Sequence, residues 1–231
     1  MRTTKTLALS AAVLAAGLAA ASAQVYSANV VGYVNKAFSA DYSQYFISTP
    51  LDDGTNTLKS LFASAPDQTA IIRWNVVNQD WDPIQTFTWQ KGSGVWLDGL
   101  GRATNVVLYP GEGYFVSTST AFTNTFVGNV LQGSLTNGTP ITGNYAQSFI
   151  GSMVPVGGNV TNVLAGYTPA DNDAIQLWDD TTQDWSPTVY TYQAGPAAWN
   201  PVLTTLQVGQ GINYTSTKAT DAQWIRTFTV Q

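Results

Sequence analysis

The stretches WNVVNQDWDP, Trp74 to Pro83, and WDDTTQDWSP, Trp178 to Pro187, decide the fold. Each sets two tryptophans seven residues apart, with Gln-Asp ahead of the second and a proline two beyond it. Pairing the tryptophans across a ribbon leaves an even-length loop centred on Val77-Asn78 or Thr181-Thr182, the kind that β-hairpins favour. Tryptophans facing each other on such a ribbon share one face, where an aromatic pair adds about 0.5–1.5 kcal/mol beyond its burial. Each copy is therefore expected to be a hairpin whose tryptophans fill the core of its own module. Trp81, Phe87 and Trp89 have the same parity and are expected on one face.

The repetition continues on both sides of the hairpin. YSQYFI (Tyr42 to Ile47) returns as YAQSFI (Tyr145 to Ile150), AIIRW (Ala70 to Trp74) as AIQLW (Ala174 to Trp178), and FTWQ (Phe87 to Gln90) as YTYQ (Tyr190 to Gln193). PGEGYFVSTST (Pro110 to Thr120) lies over VGQGINYTSTK (Val208 to Lys218), and TFVGNV (Thr125 to Val130) over the terminal TFTVQ. A third echo, NVVGYV, begins at Asn29. Repeats in constant order, at an offset that stays between 98 and 104 residues with small indels, mark an internal duplication. Short alternating runs rich in Thr, Val, Ile, Tyr, Phe and Trp between Gly, Pro, Asn and Asp clusters read as strands. One helical turn is expected per copy, in Thr57 to Ala65 and Asn159 to Tyr167, each stopped by a proline, Pro66 or Pro169. The expected architecture is all-β: two tandem homologous β-barrel or β-sandwich modules, residues 24–123 and 124–231, each with one short helical turn. The threefold boundary strand suggests that the first copy pairs with the last and closes the chain, or adds to another molecule's edge as a route to self-association.

Residues 1–23 read as a signal peptide: Arg2 and Lys5, an apolar run from Leu7, then Ala21-Ser22-Ala23 before Gln24. Such a run is too short for a stable span, so no membrane span is expected after cleavage. The localisation implied is secreted, periplasmic or on the surface of a bacterium. Charged residues make up 10% of the chain and the net charge is −5, an acidic, lysine-poor balance that argues against nucleic-acid partners.

The chain has no cysteine and no histidine. Disulfides, thiolate metal sites and Ser-His-Asp or Cys-His catalysis are therefore excluded. Its single glutamate, Glu112, sits in PGEG opposite Gln210 of the second copy and is expected to be an exposed turn residue. The glycines kept on either side, 111/209 and 113/211, mark turns that need positive φ or close approach. No catalytic residue and no resident cofactor is expected.

Two candidate sites follow. Carbohydrate-binding proteins stack sugars on exposed aromatic rings, and Trp89, Trp96, Tyr192 and Trp199 are the candidates for such a platform. In the second hairpin Asp179 falls opposite Asp184 with Asp180 adjacent, and like charges facing each other need either water or a cation between them. Calcium suits oxygen ligands of this kind.

The segments QVYSANVVGYVN (Gln24 to Asn35), FISTPLDDGTNTL (Phe46 to Leu58) and PGEGYFV (Pro110 to Val116) resemble a family of exported repeat proteins from planctomycete and verrucomicrobial bacteria. The second copy departs from it, with VGQGINY in place of PGEGYFV. The resemblance implies an exported, duplicated β-protein and carries over no site. The function expected is that of a non-catalytic envelope or extracellular protein with a structural or adhesive role. Its expected partners are polysaccharide or other envelope proteins, with carbohydrate binding as the alternative function.

Overall fold

Residues 30–230 are described by the computed structural model. The expected signal peptide, the start of the first boundary strand at Asn29 and the terminal Gln231 lie outside the described residues. The alternating runs form strands throughout. The first half contains β1 (Val31–Phe38), β2 (Gln44–Ser48), α1 (Leu58–Leu61), β3 (Ala70–Arg73), β4 (Thr86–Gln90), β5 (Val95–Asp98), β6 (Ala103–Thr104), β7 (Gly113–Ser117) and β8 (Phe122–Asn129). The second contains β9 (Gly133–Thr136), β10 (Gln147–Ile150), α2 (Val160–Val163), β11 (Ala174–Asp179), β12 (Asp184–Gln193), β13 (Ala198–Asn200), β14 (Ile212–Thr215) and β15 (Ile225–Phe228). The protein is all-β, with antiparallel pairing throughout its sheets.

The first sheet has the order β2-β7-β3-β4-β5-β6 and the second β10-β14-β11-β12-β13. Apart from β6, the two orders correspond strand for strand. Each sheet is accompanied by a two-stranded ribbon, β1-β8 or β9-β15. Both helical turns stand where expected. Thr57 and Ser60 close a capping box on α1, and the Asn159 side chain accepts from the Thr161 amide at the start of α2.

Period-two alternation sends one face of each sheet to its own core. In the first half Ile47, Ile71, Phe87, Trp96, Tyr114 and Val116 pack with Phe38 and Phe126 of the ribbon and with Leu58, Leu61 and Phe62 of the helical turn. In the second, Ile150, Ile175, Trp199, Ile212 and Tyr214 pack with Val160, Val163 and Trp224. The Trp224 indole N–H, at full burial, donates to the Ala165 carbonyl at 2.9 Å.

Three expectations change. The first boundary strand does not close on the last: β1 pairs along its whole length with β8, the middle echo, while β15 pairs with β9. Gly32 faces Gly128 in that ribbon, and a Cβ on Gly128 would come within 2.6 Å of the Asp52 carbonyl oxygen. The glycines shared by the two echoes thus let residues 51–53 cross the ribbon. The expected boundary between 123 and 124 lies inside β8, so the strand pairing puts the junction at residues 130–132. Finally, Trp81 does not share a strand with Phe87 and Trp89. A 3-10 turn, Pro83–Gln85, intervenes, capped by the Asp82 side chain accepting from the Ile84 amide at 3.0 Å. That turn breaks the alternation on which the parity depended.

Candidate functional site

The other face of each sheet is also apolar, and this places the site. Phe46 on β2, Phe115 on β7 and Phe149 on β10 point away from their own cores and form a separate aromatic cluster with Ile72, Trp74, Trp178 and Trp185. The hairpins take the expected register: Asn75 bridges Asp80, and Trp178 and Asp179 face Trp185 and Asp184. What they fill differs from the expectation. Trp74 stacks on Phe149 of the other half, with centroids 5.1 Å apart, and Trp178 meets Phe115 edge-on at 4.8 Å. The repeated motif supplies the core between the modules and not the core within each.

Its polar residues reach across too. Trp74 Nε1 donates to the Gln147 carbonyl at 3.2 Å, and Trp178 Nε1 to the Gln44 carbonyl at 2.9 Å. Gln79 and Gln183 both sit at positive φ, 57° and 56°. From there Gln79 donates to the Gln147 carbonyl at 3.0 Å and accepts from the Gln147 amide at 2.6 Å. Gln183 treats Gln44 likewise, donating at 3.2 Å and accepting at 2.5 Å. A glutamine amide thereby takes the part of a peptide group on the first residue of the opposite module's edge strand. Asn75 and Asp179 shape these loops by accepting from turn amides, at 3.1 Å from Val77 and 2.8 Å from Thr181. Gln183→Ala is expected to cost about 1–3 kcal/mol in urea unfolding, since both Gln44 backbone groups lose a partner.

The glycine turns complete the clasp. Gly111 and Gly209 have φ of 89° and 75°, and the residues after them, Glu112 and Gln210, bridge Ile150 and Ile47 of the opposite halves. A Cβ on Gly113 would lie 2.9 Å from the Ile150 amide nitrogen, and one on Gly211 would lie 2.9 Å from the Phe46 ring. Positive φ and close approach both occur at these turns, and what approaches is the other module.

The reciprocity is incomplete. Phe115 corresponds to Asn213 and Ile72 to Gln176, so the aromatic face is fuller on one side. There a cleft of about 340 Å³ opens, lined by Gln44, Ile72, Trp81, Thr86, Phe115, Trp178 and Trp185. Trp81, 43% exposed, is the most open of the eight tryptophans.

The residues expected to form a sugar platform do not form one. Trp96 and Trp199 are only 1% and 6% exposed. Register explains this: Trp89 lies opposite Trp96 and Tyr192 opposite Trp199, which turns each pair toward its own core. Trp89 and Tyr192 cover those cores, half-buried, at 5.5 Å from their partners. Trp81 is exposed and lines the cleft with the half-buried Trp185, although the hairpin pattern places both in the interior. The signal for them was the Gln-Asp kept ahead of each, which no intramodule core requires.

The three aspartates are satisfied separately. Asp179 faces Asp184 as expected, but its carboxylate accepts from the Thr181 and Thr182 amides, which hold it below the usual carboxylate range. Asp180 lies 3.6 Å from Lys36; burial raises its carboxyl, with the Lys36 charge opposing. Asp184 accepts from the Trp185 amide at 2.7 Å. Among the described residues no three acidic side chains converge on a metal-sized space.

Glu112 is not an exposed turn residue. It is 5% exposed, ion-paired with Arg73, and accepts from the Tyr109 amide at 3.1 Å. Burial pushes its carboxyl up, and the Arg73 charge and the Tyr109 bond pull the other way. The pair spans β3 and the turn before β7, adding a third fastening beside the clasp.

No protein-family model, curated protein or solved structure matches the chain.

Proposed function

We propose that the chain is an exported, non-catalytic protein of a bacterial envelope or extracellular matrix, structural or adhesive in role, built by tandem duplication of one β-module. The observation that carries this reading is the state of Glu112. In a chain without histidine or cysteine, its one glutamate is spent on an ion pair beneath a turn, and the acidic residues of the second hairpin are each tied to a local partner. General acid–base work needs a titratable group facing a space where substrate can sit, whereas Glu112 and Asp179 are taken up by the bonds of their own turns.

The clasp supports a mechanical role. Two sheets joined by reciprocal hydrogen bonds and a shared aromatic core resist hinging, and a charge-poor surface of Thr, Asn, Gln and Ser suits close packing with neutral polymers. The outer face of the β1-β8 ribbon adds an open contact surface, with Val31, Tyr33 and Val127 exposed.

The test is fractionation of the source bacterium combined with attachment assays on cells with and without the gene. Recovery in the envelope or medium, with reduced attachment or envelope integrity in the deletion, is the expected result. Recovery in the cytoplasm, or turnover of glycoside or ester substrates by the purified chain, would overturn it.

A further inference from the structure

The cleft between the modules has a composition that neither of the two structural cores shows. Its walls are aromatic, from Trp81, Phe115, Trp178 and Trp185, and no charged residue lines it. Trp81, Trp178 and Trp185 meet their neighbouring rings edge-on or steeply inclined, at 61° to 85°. In contrast, Trp74 lies flat on Phe149 at 16°. The tryptophans of the cleft therefore carry no parallel ring stacked on them among the described residues.

The polar groups differ from those of the clasp as well. In each motif the first tryptophan spends its indole N–H on a backbone carbonyl. The second, Trp81 or Trp185, has no hydrogen-bond partner for it among the described residues, and neither has the side-chain amide of Gln44 or the Thr86 hydroxyl. None of the three groups on Gln44, Thr86 and Trp185 belongs to the buried polar atoms lacking partners, so they are open to what enters the cleft. Gln44 is held in place by its backbone, through Gln183, which leaves its side chain free at a fixed position. An unstacked aromatic wall edged by neutral donors and acceptors matches a pyranose ring, which has an apolar C–H face and hydroxyls around its rim. A cation would find no carboxylate here, and an anion no basic group. A purely apolar guest would leave three polar groups dry.

We infer that the cleft between the two modules is a binding site for one ring of a neutral saccharide, stacked on Trp81 and Trp185 with its hydroxyls held by Gln44 and Thr86. The volume, about 340 Å³, lies at the small end of ligand sites, as one ring requires. Trp81 stands exposed at the mouth, so the ring can belong to a longer polymer that continues into solvent. This site rests on the adhesive reading, for which it supplies the contact with a polysaccharide.

The full purified chain is titrated by isothermal calorimetry with glucose, galactose, mannose, N-acetylglucosamine and their β-linked tetramers. Galacturonate, glucosamine and indole serve as anionic, cationic and apolar probes. Saturable binding of at least one neutral sugar is expected, with a Kd on the order of 1 mM for a single ring. Trp81→Ala should weaken it at least tenfold. Gln44→Ala should weaken it roughly threefold to tenfold at an unchanged Tm, because that side chain makes no hydrogen bond among the described residues. Indole alone binding, a charged sugar preferred over every neutral one, or both variants binding like the parent would overturn the site. Cell attachment is scored separately: a chain that mediates attachment yet binds no neutral sugar sinks the cleft site and leaves the adhesive role standing.

Discussion

Phe149→Ala is expected to lower the free energy of unfolding by about 3–5 kcal/mol, among the largest effects of any single truncation in the chain. Phe149 is 4% exposed and sits on the second sheet's edge strand, yet its ring contacts reach Phe46, Trp74, Trp81 and Phe115 of the first half. Of its aromatic partners among the described residues, only Trp185 belongs to its own half. Collapse of the surroundings is restrained from both sides, because Gln79 and Trp74 hold the Gln147 backbone in place. A cavity that cannot relax carries the full truncation penalty. Urea unfolding followed by tryptophan fluorescence and by far-UV circular dichroism gives the test. In the parent the two signals should coincide, since the aromatic cluster couples the halves. In the variant the midpoint should drop, and fluorescence should change first because the tryptophans of the clasp report the junction. A loss below about 1 kcal/mol would mean that the modules fold without help from each other, and that the repeated motif is ornament at their boundary.

The same residue shows what was legible in the sequence and what was not. YAQSFI against YSQYFI shows that Phe149 and Phe46 are equivalent, and alternation puts each on the face opposite its isoleucine neighbour. Hairpin register, helical turns and glycine turns were all readable, because they depend on residues within about ten positions of one another. The destination of the tryptophans was not. An aromatic hairpin buries the same area against its own sheet or against another, and periodicity carries no information about which. Nor does the sequence show that Gln79 and Gln183 grip residues far along the chain, since a glutamine amide is compatible with solvent almost anywhere. Trp96 and Trp199 failed as surface candidates for a related reason. Their strands are patterned like the rest, and only the cross-strand register with Trp89 and Tyr192 decides that they face inward. The junction at residues 130–132 was hidden because the boundary strand resembles both of its echoes equally well.

Comparison of the two copies yields the second large effect. Arg73 and Glu112 pair in the first half, and the corresponding positions of the second half are Leu177 and Gln210. Gln210 keeps one part of the arrangement, accepting from the Gln207 amide at 2.9 Å as Glu112 accepts from Tyr109 at 3.1 Å. Arg73→Leu alone is expected to cost about 3 kcal/mol at neutral pH, because Glu112 is left as a buried charge without its cation. Adding Glu112→Gln should restore stability to within about 1 kcal/mol of the parent, since the turn-closing bond survives and no charge remains buried. The pH dependence separates this account from simple loss of packing. Burial already raises the Glu112 carboxyl above its ordinary value of 4.5, against the pull of Arg73. Without Arg73 the folded state holds its proton to still higher pH, while the unfolded state releases it near the ordinary value. The folded state then binds more protons above that value, so stability falls as pH rises. The Arg73→Leu variant should therefore be closest to the parent below about pH 4.5 and lose ground progressively as pH climbs through the raised value. The double variant should lack that slope, having no carboxyl to titrate. A single variant whose deficit is the same at pH 4 and pH 8 would show that Arg73 acts through its aliphatic stem and not through its charge.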